Sequence, residues 1–486
     1  MVKENTGRGR ASRNAKHVCM YLLLAFFIVI LPLILFLKKV WLLSLSGVRK
    51  KNYEFASVSS HKTSKALESP IKSSFVGYAT PMSTTEFYFD ATSQHLGKAA
   101  GVLAHKDSFR EAPTGQILST IGMGTYIGDK DDRTDNLVAD AIVQSVNAGV
   151  NVIDSASNYR GGKGEISVGM ALRRLFSNEE SNAIDDEPTT PRRRFSRSEI
   201  FISTKAGFVS SKELFKRAMK KGANKADFGG GGKHCIAPAC LEASLDISLE
   251  RMGIQTVDLF YLHNVAEKRD SEVASQAELL DMIQRAFVHL EKERDLGRIR
   301  YYGLATFSKS FRLPPGQPGA LDVFDVVNVA RKAKGCDILP SAFVAKNDPN
   351  EDVLTCDHGF RYIQLPVSPA SFPEMYTKSW QSKGFETLAD AASRYKVGLF
   401  SSKSLGREPP KCLDLSTRGT SLALMSKNEK ARILDITRSS PGLLSALVGH
   451  KTPAHVRANL DVMAISPLTT NEFNAKVAKC QTKGAV

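Results

Sequence analysis

The feature that most limits the possible folds is an alternation of two kinds of segment, which runs from about residue 117 to residue 464. Short runs rich in β-branched residues, such as VNVID at 150–154, are each followed by a longer run with apolar residues at helical spacing. Alternating βα units require a parallel sheet, and eight of them predict an α/β fold, the (β/α)8 TIM barrel, with loop insertions. A doubly wound open sheet is the alternative, although no predicted strand leads into a G-x-G-x-x-G turn. The predicted strands cover residues 117–125, 150–154, 199–205, 257–262, 299–304, 361–366, 397–402 and 443–448.

Three connections are longer than a compact barrel needs. Residues 177–198 are polar and are expected at the periphery, and residues 335–360 form a further loop. Residues 207–237 contain the run Gly229–Gly232 followed by Lys233, which lacks the spacing and the Ser or Thr of a phosphate loop. We expect this stretch to be a flexible loop or, because it follows a strand end, a lid over the rim of the barrel.

The amino-terminal part contains an apolar run of a different kind. Residues 18–37 are 20 residues without a charge, interrupted only by Pro32, which is long enough for a single transmembrane helix. An uncleaved membrane anchor is the main prediction, and a cleaved signal or an organelle-targeting leader is the alternative. The predicted organisation is a basic tail at 1–17, the transmembrane helix, a disordered tether at 38–76, the barrel at 77–470 and a carboxy-terminal tail at 471–486.

The net charge of +16 is concentrated near the amino terminus. Residues 1–80 hold 13 Lys and Arg against three Glu, an excess of +10, and the remaining +6 forms no basic stripe with interleaved aromatic residues. Nucleic acid is therefore not expected as a partner. Five basic residues on each side of residues 18–37 leave the positive-inside rule undecided. The chain has no N-x-[ST] sequon, which favours a barrel that faces the cytosol. The expected location is therefore a membrane, with a single-pass anchor and a cytosol-facing barrel, and an organelle or lumen stays open as the alternative.

The cysteines are few and scattered, and they suggest neither a disulfide scaffold nor a metal site. His234-Cys235 and Cys240 have no second Cys or His pair at zinc-binding spacing. Free thiols in a reducing compartment are therefore expected. The seven residues are Cys19, Cys235, Cys240, Cys336, Cys356, Cys412 and Cys480.

Reactive side chains stand at the ends of three successive predicted strands. The second strand ends on Asp154, with Tyr159 five residues later, the third on Lys205 and the fourth, in VDLFYLHN, on His263. The carboxyl ends of barrel strands meet at the catalytic rim, so these four side chains are expected to converge. Each of them alone is more often structural, but their convergence favours chemistry.

The four residue types suit proton delivery to an oxygen. A free tyrosine has a pKa of about 10. A neighbouring Lys205 ammonium is expected to lower the pKa of Tyr159, and Asp154 to hold that lysine charged. His263 can hydrogen-bond a carbonyl oxygen and orient it. The matching hydride must come from a cofactor.

The segments GMGTY, NVIDSASNY, ISTKAG and YLHN, in this order and spacing, resemble the aldo/keto reductases, especially the larger bacterial-type relatives. The resemblance covers residues from about 77 to 470. It implies the (β/α)8 fold, NADPH as cofactor with NADH possible, and a small carbonyl substrate. It also implies Tyr159 as general acid and base, Lys205 and Asp154 as its tuning partners, and His263 as the residue that orients the carbonyl group.

The same resemblance implies a set of cofactor-binding positions. Ala305-Thr306 stands where many members carry Ser-Asn, and His455 where Arg or Gln is usual, so the choice between NADP and NAD stays open. The implied contacts are Gly124, Thr125, Tyr126 and Asp154 at the nicotinamide, Thr306 and Gln364 at the carboxamide, Ser401, Ser402, Ser404 and Leu405 at the pyrophosphate, and Lys451, His455 and Asn459 at the adenosine phosphate.

The sequence therefore predicts a membrane-tethered, NAD(P)H-dependent oxidoreductase that reduces an aldehyde or ketone to an alcohol, with Tyr159 as proton donor. The alternative is a weakly catalytic nucleotide-binding module that reports redox state to a membrane complex. Some members of the family serve as potassium-channel β-subunits, and the predicted membrane helix keeps this alternative open.

Overall fold

The structure is a computed structural model. The chain divides into two units, Met1–Ser69 and Pro70–Val486, and all the residues described below belong to the second. The described residues are 74–93, 102–176, 194–269, 275–307, 310–340, 355–369, 375–406, 413 and 428–482.

Eight parallel strands close into a barrel, which confirms the predicted (β/α)8 fold. Every strand of the barrel pairs with its neighbours in the chain, and the last strand pairs with the first to close the ring. This closure rules out the open doubly wound sheet. The strands are β3 (Ile121–Gly124), β4 (Val152–Asp154), β5 (Phe201–Ala206), β6 (Val257–His263), β7 (Ile299–Ala305), β8 (Phe360–Pro366), β9 (Gly398–Ser402) and β10 (Leu443–Gly449).

Helices follow the strands and cover the outside of the barrel. The helix Pro238–Met252 shows how the sequence sets their bounds, because Pro238 occupies the first turn and Gly253, with φ +67°, ends it in the left-handed conformation. In the helix Gln276–Asp295 the predicted apolar face of Leu279, Ile283, Phe287 and Leu290 is fully buried. The described helices around the barrel are Asp132–Asn147, Lys163–Phe176, Lys212–Lys220, Pro238–Met252, Val265–Arg269, Gln276–Asp295, Val323–Lys334, Leu388–Arg394, Glu429–Arg438 and Pro453–Leu460.

The first predicted strand, 117–125, is in fact two strands with different partners. Residues Ile117–Ser119 (β2) pair antiparallel with Phe109–Glu111 (β1), and only β3 enters the barrel. The backbone leaves the hairpin at Ser119, whose N–H donates to the side chain of Asn151 at 2.9 Å. Leu118 packs among the side chains that fill the barrel, so the hairpin closes the end away from the strand carboxyl ends. The sequence prediction missed this break, because strand-forming residues stand on both sides of Ser119.

The ends of the predicted barrel domain fall inside ordered structure. Phe75 pairs with Ile254, and its ring lies 5.0 Å from that of Phe176. At the other end, the helix Thr470–Thr482 buries Phe473 and Val477. The part of this unit that packs with the barrel therefore extends beyond both 77 and 470.

Four of the seven cysteines form disulfides, so the prediction of free thiols is wrong for them. Cys235 pairs with Cys240, and Cys336 pairs with Cys356. Neither pair was evident from the sequence, because the separations of five and 20 residues match no scaffold pattern. The second disulfide joins the two described ends of the 335–360 connection. That connection runs from a helix to β8, so it starts and finishes at the face opposite the strand carboxyl ends.

Among the described residues, no helix is both long and apolar enough to cross a membrane. The predicted tail at 1–17, the predicted transmembrane helix at 18–37 and almost all of the tether at 38–76 lie outside those residues.

Candidate active site

The sheet register brings the strand-end residues to one rim. Gly124 is level with Asp154, and Asp154 is level with Ser203 on the next strand. One strand further, His263 is level with Ala305, which in turn is level with Gln364. Asp154, Tyr159, Lys205 and His263 therefore meet at the carboxyl ends of β4, β5 and β6, as predicted.

A buried carboxylate forms the centre of this cluster. Asp154 accepts hydrogen bonds from Lys205 Nζ at 2.8 and 2.6 Å, from Ser203 Oγ at 2.7 Å and from Gln364 Nε2 at 2.9 Å. The Lys205 ammonium also donates to the main-chain carbonyl of Ser155 at 2.6 Å. Paired and fully hydrogen-bonded, the two charges can remain ionised away from water.

The ammonium of Lys205 stays protonated. Burial alone lowers the pKa of Lys205, but Asp154 and the Tyr159 phenol favour the charged form and together raise the pKa above its ordinary value. The expectation that Asp154 holds the lysine charged agrees with this direction. Lys205 is therefore a fixed positive charge and not a base at neutral pH.

Tyr159 is held beside that charge by an unusual turn. It begins the short helical turn Tyr159–Gly162, in which Arg160 has φ +51°. The Arg160 guanidinium, itself buried, donates to Asp135 at 2.8 Å and to Ser167 at 2.6 Å, which fixes the turn against two helices. The Lys205 Nζ atom lies 4.6 Å from the centre of the Tyr159 ring.

The pKa of Tyr159 differs in direction from the sequence prediction. The ring is partly exposed, but protein atoms surround its hydroxyl group, and this burial raises the pKa more than the Lys205 ammonium lowers it. Asp154 adds to the rise, because a nearby negative charge disfavours the phenolate. The net pKa of Tyr159 is therefore raised, and the residue is a protonated phenol and not a phenolate at neutral pH.

His263 is neutral in this environment. Burial, followed by the charges of Lys205 and His234, lowers the pKa of His263 well below its ordinary value. Its ring meets that of Tyr159 edge-on at 6.1 Å and that of Phe208 at 5.0 Å. A neutral imidazole beside a protonated phenol provides a hydrogen-bond donor without competing for the proton.

Several supporting residues were not identified from the sequence. Glu165, fully buried, accepts from Arg251 at 2.9 Å and from Thr204 at 2.7 Å, and so ties the helix after Tyr159 to β5. Ser203 contacts Asp154 directly. Only tertiary contacts distinguish these residues from ordinary polar ones, although Ser203 stands two residues before Lys205 on the same face of its strand.

The residues predicted for the nicotinamide side differ in their contacts: the Thr125 hydroxyl group is hydrogen-bonded within the protein, whereas Tyr126 is exposed at the rim of the barrel. Thr125 Oγ1 donates to the Asp154 carbonyl at 3.2 Å and to Ser155 Oγ at 2.9 Å, so its hydroxyl group braces the strand ends. Tyr126 is 68% exposed, and its ring meets that of Tyr159 edge-on at 5.2 Å. Gly124 ends β3 beside both of them.

The carboxamide-side residues include a polar atom that fits a ligand. Thr306 Oγ1 is buried and has no hydrogen-bond partner among the described residues. Its backbone N–H donates to the Gln364 carbonyl at 2.8 Å, and the Gln364 amide donates to Asp154, which places both residues next to the Asp154–Lys205 pair. Buried polar atoms are usually hydrogen-bonded, so the hydroxyl group of Thr306 is suited to contact a bound polar group.

Two predicted phosphate contacts are engaged within the protein. Ser401 Oγ donates to the Val367 carbonyl at 2.9 Å, and Ser404 Oγ donates to the Leu447 carbonyl at 2.8 Å. These hydroxyl groups therefore stabilise the turn after β9, and an anion there would have to meet its main chain. Ser402 and Leu405 are partly buried at the same turn.

The residues predicted for the adenosine side differ in exposure to solvent. Lys451 is partly exposed and His455 is exposed, both at the start of the helix Pro453–Leu460, where an anion is favoured. Asn459, in contrast, is buried, and its amide bonds to His450 Nδ1 at 3.0 Å. In this structure Asn459 supports His450 instead of presenting its amide to a ligand.

Residues 120–311 match the model of the Aldo/keto reductase family. The chain is 23% identical over 234 residues to the NADH-specific methylglyoxal reductase of Escherichia coli, a match that covers 46% of this chain and 59% of that protein. It is 29% identical over 112 residues to the NADP(+) aldo-keto reductase yakc of Schizosaccharomyces pombe, covering 23% of this chain and 25% of that one. The chain thus spans 59% and 25% of the length of these two relatives.

Solved structures that align with the chain include an aldo/keto reductase from Klebsiella pneumoniae in complex with NADP and acetate. It is 16% identical and aligns over 77% of this chain and 95% of its own, with a TM-score of 0.46. An aldo/keto reductase from Brucella melitensis is also 16% identical, over 76% of this chain and 98% of its own, with a TM-score of 0.42.

Proposed function

We propose that this chain, whose residues 120–311 match the model of the aldo/keto reductase family, is an NAD(P)H-dependent oxidoreductase that reduces an aldehyde or ketone to an alcohol. The observation that carries the proposal is the convergence of Asp154, Tyr159, Lys205 and His263 at the rim of a closed barrel. Asp154 and Lys205 are hydrogen-bonded to each other, and the rings of Tyr159 and His263 meet edge-on beside them.

The reaction joins a hydride to the carbonyl carbon and a proton to its oxygen. A bound NAD(P)H supplies the hydride. The neutral imidazole of His263 orients the substrate by donating a hydrogen bond to the carbonyl oxygen, and the Tyr159 phenol delivers the proton. As the proton leaves, the Lys205 ammonium stabilises the phenolate, and Asp154 keeps that ammonium in place. The charges are set in advance, so little reorganisation is required during the transfer.

The residues around the cluster fit a dinucleotide of this kind. The hydroxyl group of Thr306 and the amide of Gln364 would hold the carboxamide, and Lys451 with His455 would hold the phosphate on the adenosine ribose. The partly exposed cation of Lys451 favours NADPH over NADH, because only NADPH carries that extra phosphate.

A carbonyl panel with both cofactors tests the function. We expect residues 70–486, which include the Phe75 contact, to oxidise NADPH with reactive aldehydes or dicarbonyls, and to use NADH less efficiently. Absorbance of the reduced nicotinamide at each substrate concentration is the measurement. If the cofactor binds but no carbonyl in the panel is reduced, the enzyme proposal is wrong and the nucleotide-binding partner module becomes the proposed function.

We also propose that residues 18–37 anchor the protein in a membrane as a single uncleaved span. We expect alkaline carbonate extraction to leave the full-length chain in the membrane pellet, because about 20 apolar residues are held by the hydrocarbon core and not by charge. A chain lacking residues 1–69 is the matched control and should appear in the supernatant. Release of the full-length chain by carbonate would contradict the anchor.

Two observations point to opposite sides of that membrane. The missing sequons favour the cytosol-facing orientation, whereas the two disulfides favour an oxidising compartment. Protease treatment of sealed membrane vesicles decides between them, since only a barrel on the outer surface of the vesicle is digested.

A further inference from the structure

The 207–237 connection, expected to be a flexible loop or a lid, carries a folded element against the catalytic histidine. It contains the helix Lys212–Lys220, and its two ends are hydrogen-bonded to each other. The N–H of Val209 donates to the Lys233 carbonyl at 2.9 Å, and the N–H of Cys235 donates to the Gly207 carbonyl at 2.7 Å. We call this element the insertion. Its neck, where the two ends meet, lies beside the end of β6.

At the neck, His234 contacts the backbone of the catalytic histidine. His234 is fully buried, and its Nε2 atom lies 2.7 Å from the main-chain carbonyl oxygen of His263. A carbonyl oxygen can only accept, so Nε2 of His234 carries the proton in this bond. The bond joins the insertion to the last residue of the strand that delivers the imidazole.

Gly207 allows this close approach. A Cβ atom at position 207 would lie 2.7 Å from His234 Nε2 and 2.8 Å from the His263 carbonyl oxygen, and residue 207 has φ +146°. A side chain there would separate the two groups. The glycine and the histidine thus act together, although they are 27 positions apart in the chain.

The catalytic imidazole is also held from the side. The Phe208 ring lies edge-on to the rings of both histidines, 5.4 Å from His234 and 5.0 Å from His263. On the other side, Asn264 takes φ +55°, and its N–H donates to the Ala305 carbonyl at 2.7 Å. The backbone at His263 is therefore restrained between β7 and the insertion.

A disulfide fixes the neck to the scaffold. Cys235 follows His234 directly and is joined to Cys240, which lies in the first turns of the helix Pro238–Met252. That helix packs against the barrel, so the cystine removes freedom from the segment that carries His234.

We propose that His234 is a positioning residue for carbonyl reduction, which holds the His263 backbone in place, and that the Cys235–Cys240 disulfide keeps His234 there. The inference rests on the proposed function for its kinetic consequence, but the contact itself can be tested without turnover. The insertion then belongs to the active site and does not merely cover it.

Two substitutions of His234 separate its hydrogen bond from its bulk. His234→Leu removes the donor, and we expect kcat to fall by roughly 10- to 100-fold, because small misplacements of a catalytic group have effects of that size. His234→Gln retains an N–H donor and should recover most of kcat. The dissociation constant for NADPH should change by less than about twofold in both, since the cofactor-binding residues lie on other strands. Equal losses in the two variants would contradict the hydrogen-bond role.

The two disulfides provide a matched comparison. Cys235→Ser/Cys240→Ser should lower kcat, whereas Cys336→Ser/Cys356→Ser, which opens the disulfide at the opposite face, should leave kcat unchanged. If both double variants reduce carbonyls at the same rate, the disulfide has no part in positioning His234.

An NMR titration of the imidazole groups distinguishes failure of this inference from failure of the proposed function. The groups that face His263 are Lys205, Tyr159 and His234, and burial holds its pKa low. In the unsubstituted protein the His263 ring should stay neutral from pH 8 to pH 5. In His234→Leu we expect the pKa of His263 to rise, because the released backbone lets the ring move towards water and a neighbouring imidazole is lost. An unchanged His263 titration in His234→Leu would overturn the inference, whether or not any carbonyl is reduced.

Discussion

Replacing Tyr159 by Phe is expected to lower kcat for carbonyl reduction by about 10³-fold while NADPH still binds. The substitution removes only the hydroxyl group, so the ring contacts with Tyr126 and His263 remain. No neighbour replaces the donor: the pKa of His263 is held low, so no imidazolium is present, and the Lys205 ammonium is committed to Asp154 and the Ser155 carbonyl. Proton delivery must then come from water, which is neither positioned nor acidic enough.

Single-turnover reduction and fluorescence titration of NADPH measure the two effects separately. Tyr88→Phe is a suitable control, because Tyr88 lies on the helix Pro81–Thr92, before the barrel and away from the site, and it should change neither quantity. A Tyr159→Phe protein that retains more than about a tenth of kcat would show that another group donates the proton.

Lys205→Met is expected to reduce both activity and stability. The Lys205 side chain is fully buried and that of Asp154 is only 5% exposed, so the substitution leaves a buried carboxylate without its counter-ion. Breaking one partner from a buried ion pair typically costs about 3–5 kcal/mol of unfolding free energy. The two remaining donors to Asp154, Ser203 and Gln364, offset part of that cost.

The double variant Asp154→Asn/Lys205→Met separates the charge effect from the loss of packing. Without the carboxylate, the double variant should unfold at a higher urea concentration than Lys205→Met, although it should be no more active. Urea unfolding followed by circular dichroism, together with the carbonyl assay, gives both quantities. If Lys205→Met is as stable as the unsubstituted protein, the pair is not the buried ion pair described above.

The sequence predicted the barrel and the convergence of Asp154, Tyr159, Lys205 and His263 because both depend on local patterns. Strand and helix periodicity can be read within one βα unit, and eight units in a row imply a closed parallel sheet. The strand ends can be read in the same way, so Asp154, Lys205 and His263 were assigned to one rim before any contact was known. The helix Pro238–Met252 shows the same principle, since its first and last residues are set by a proline and a glycine.

Other features depend on residues far apart in the chain. The hairpin at the closed end, the two disulfides and the contact of His234 with His263 arise only when distant segments meet. The pKa of Tyr159 is the clearest case, because sequence reasoning identified the lysine that lowers it but not the burial that outweighs this effect. By itself, the sequence determined which groups stand at the strand ends. Only the tertiary structure decided their protonation and restraint, because desolvation and long-range hydrogen bonds depend on everything packed around a side chain.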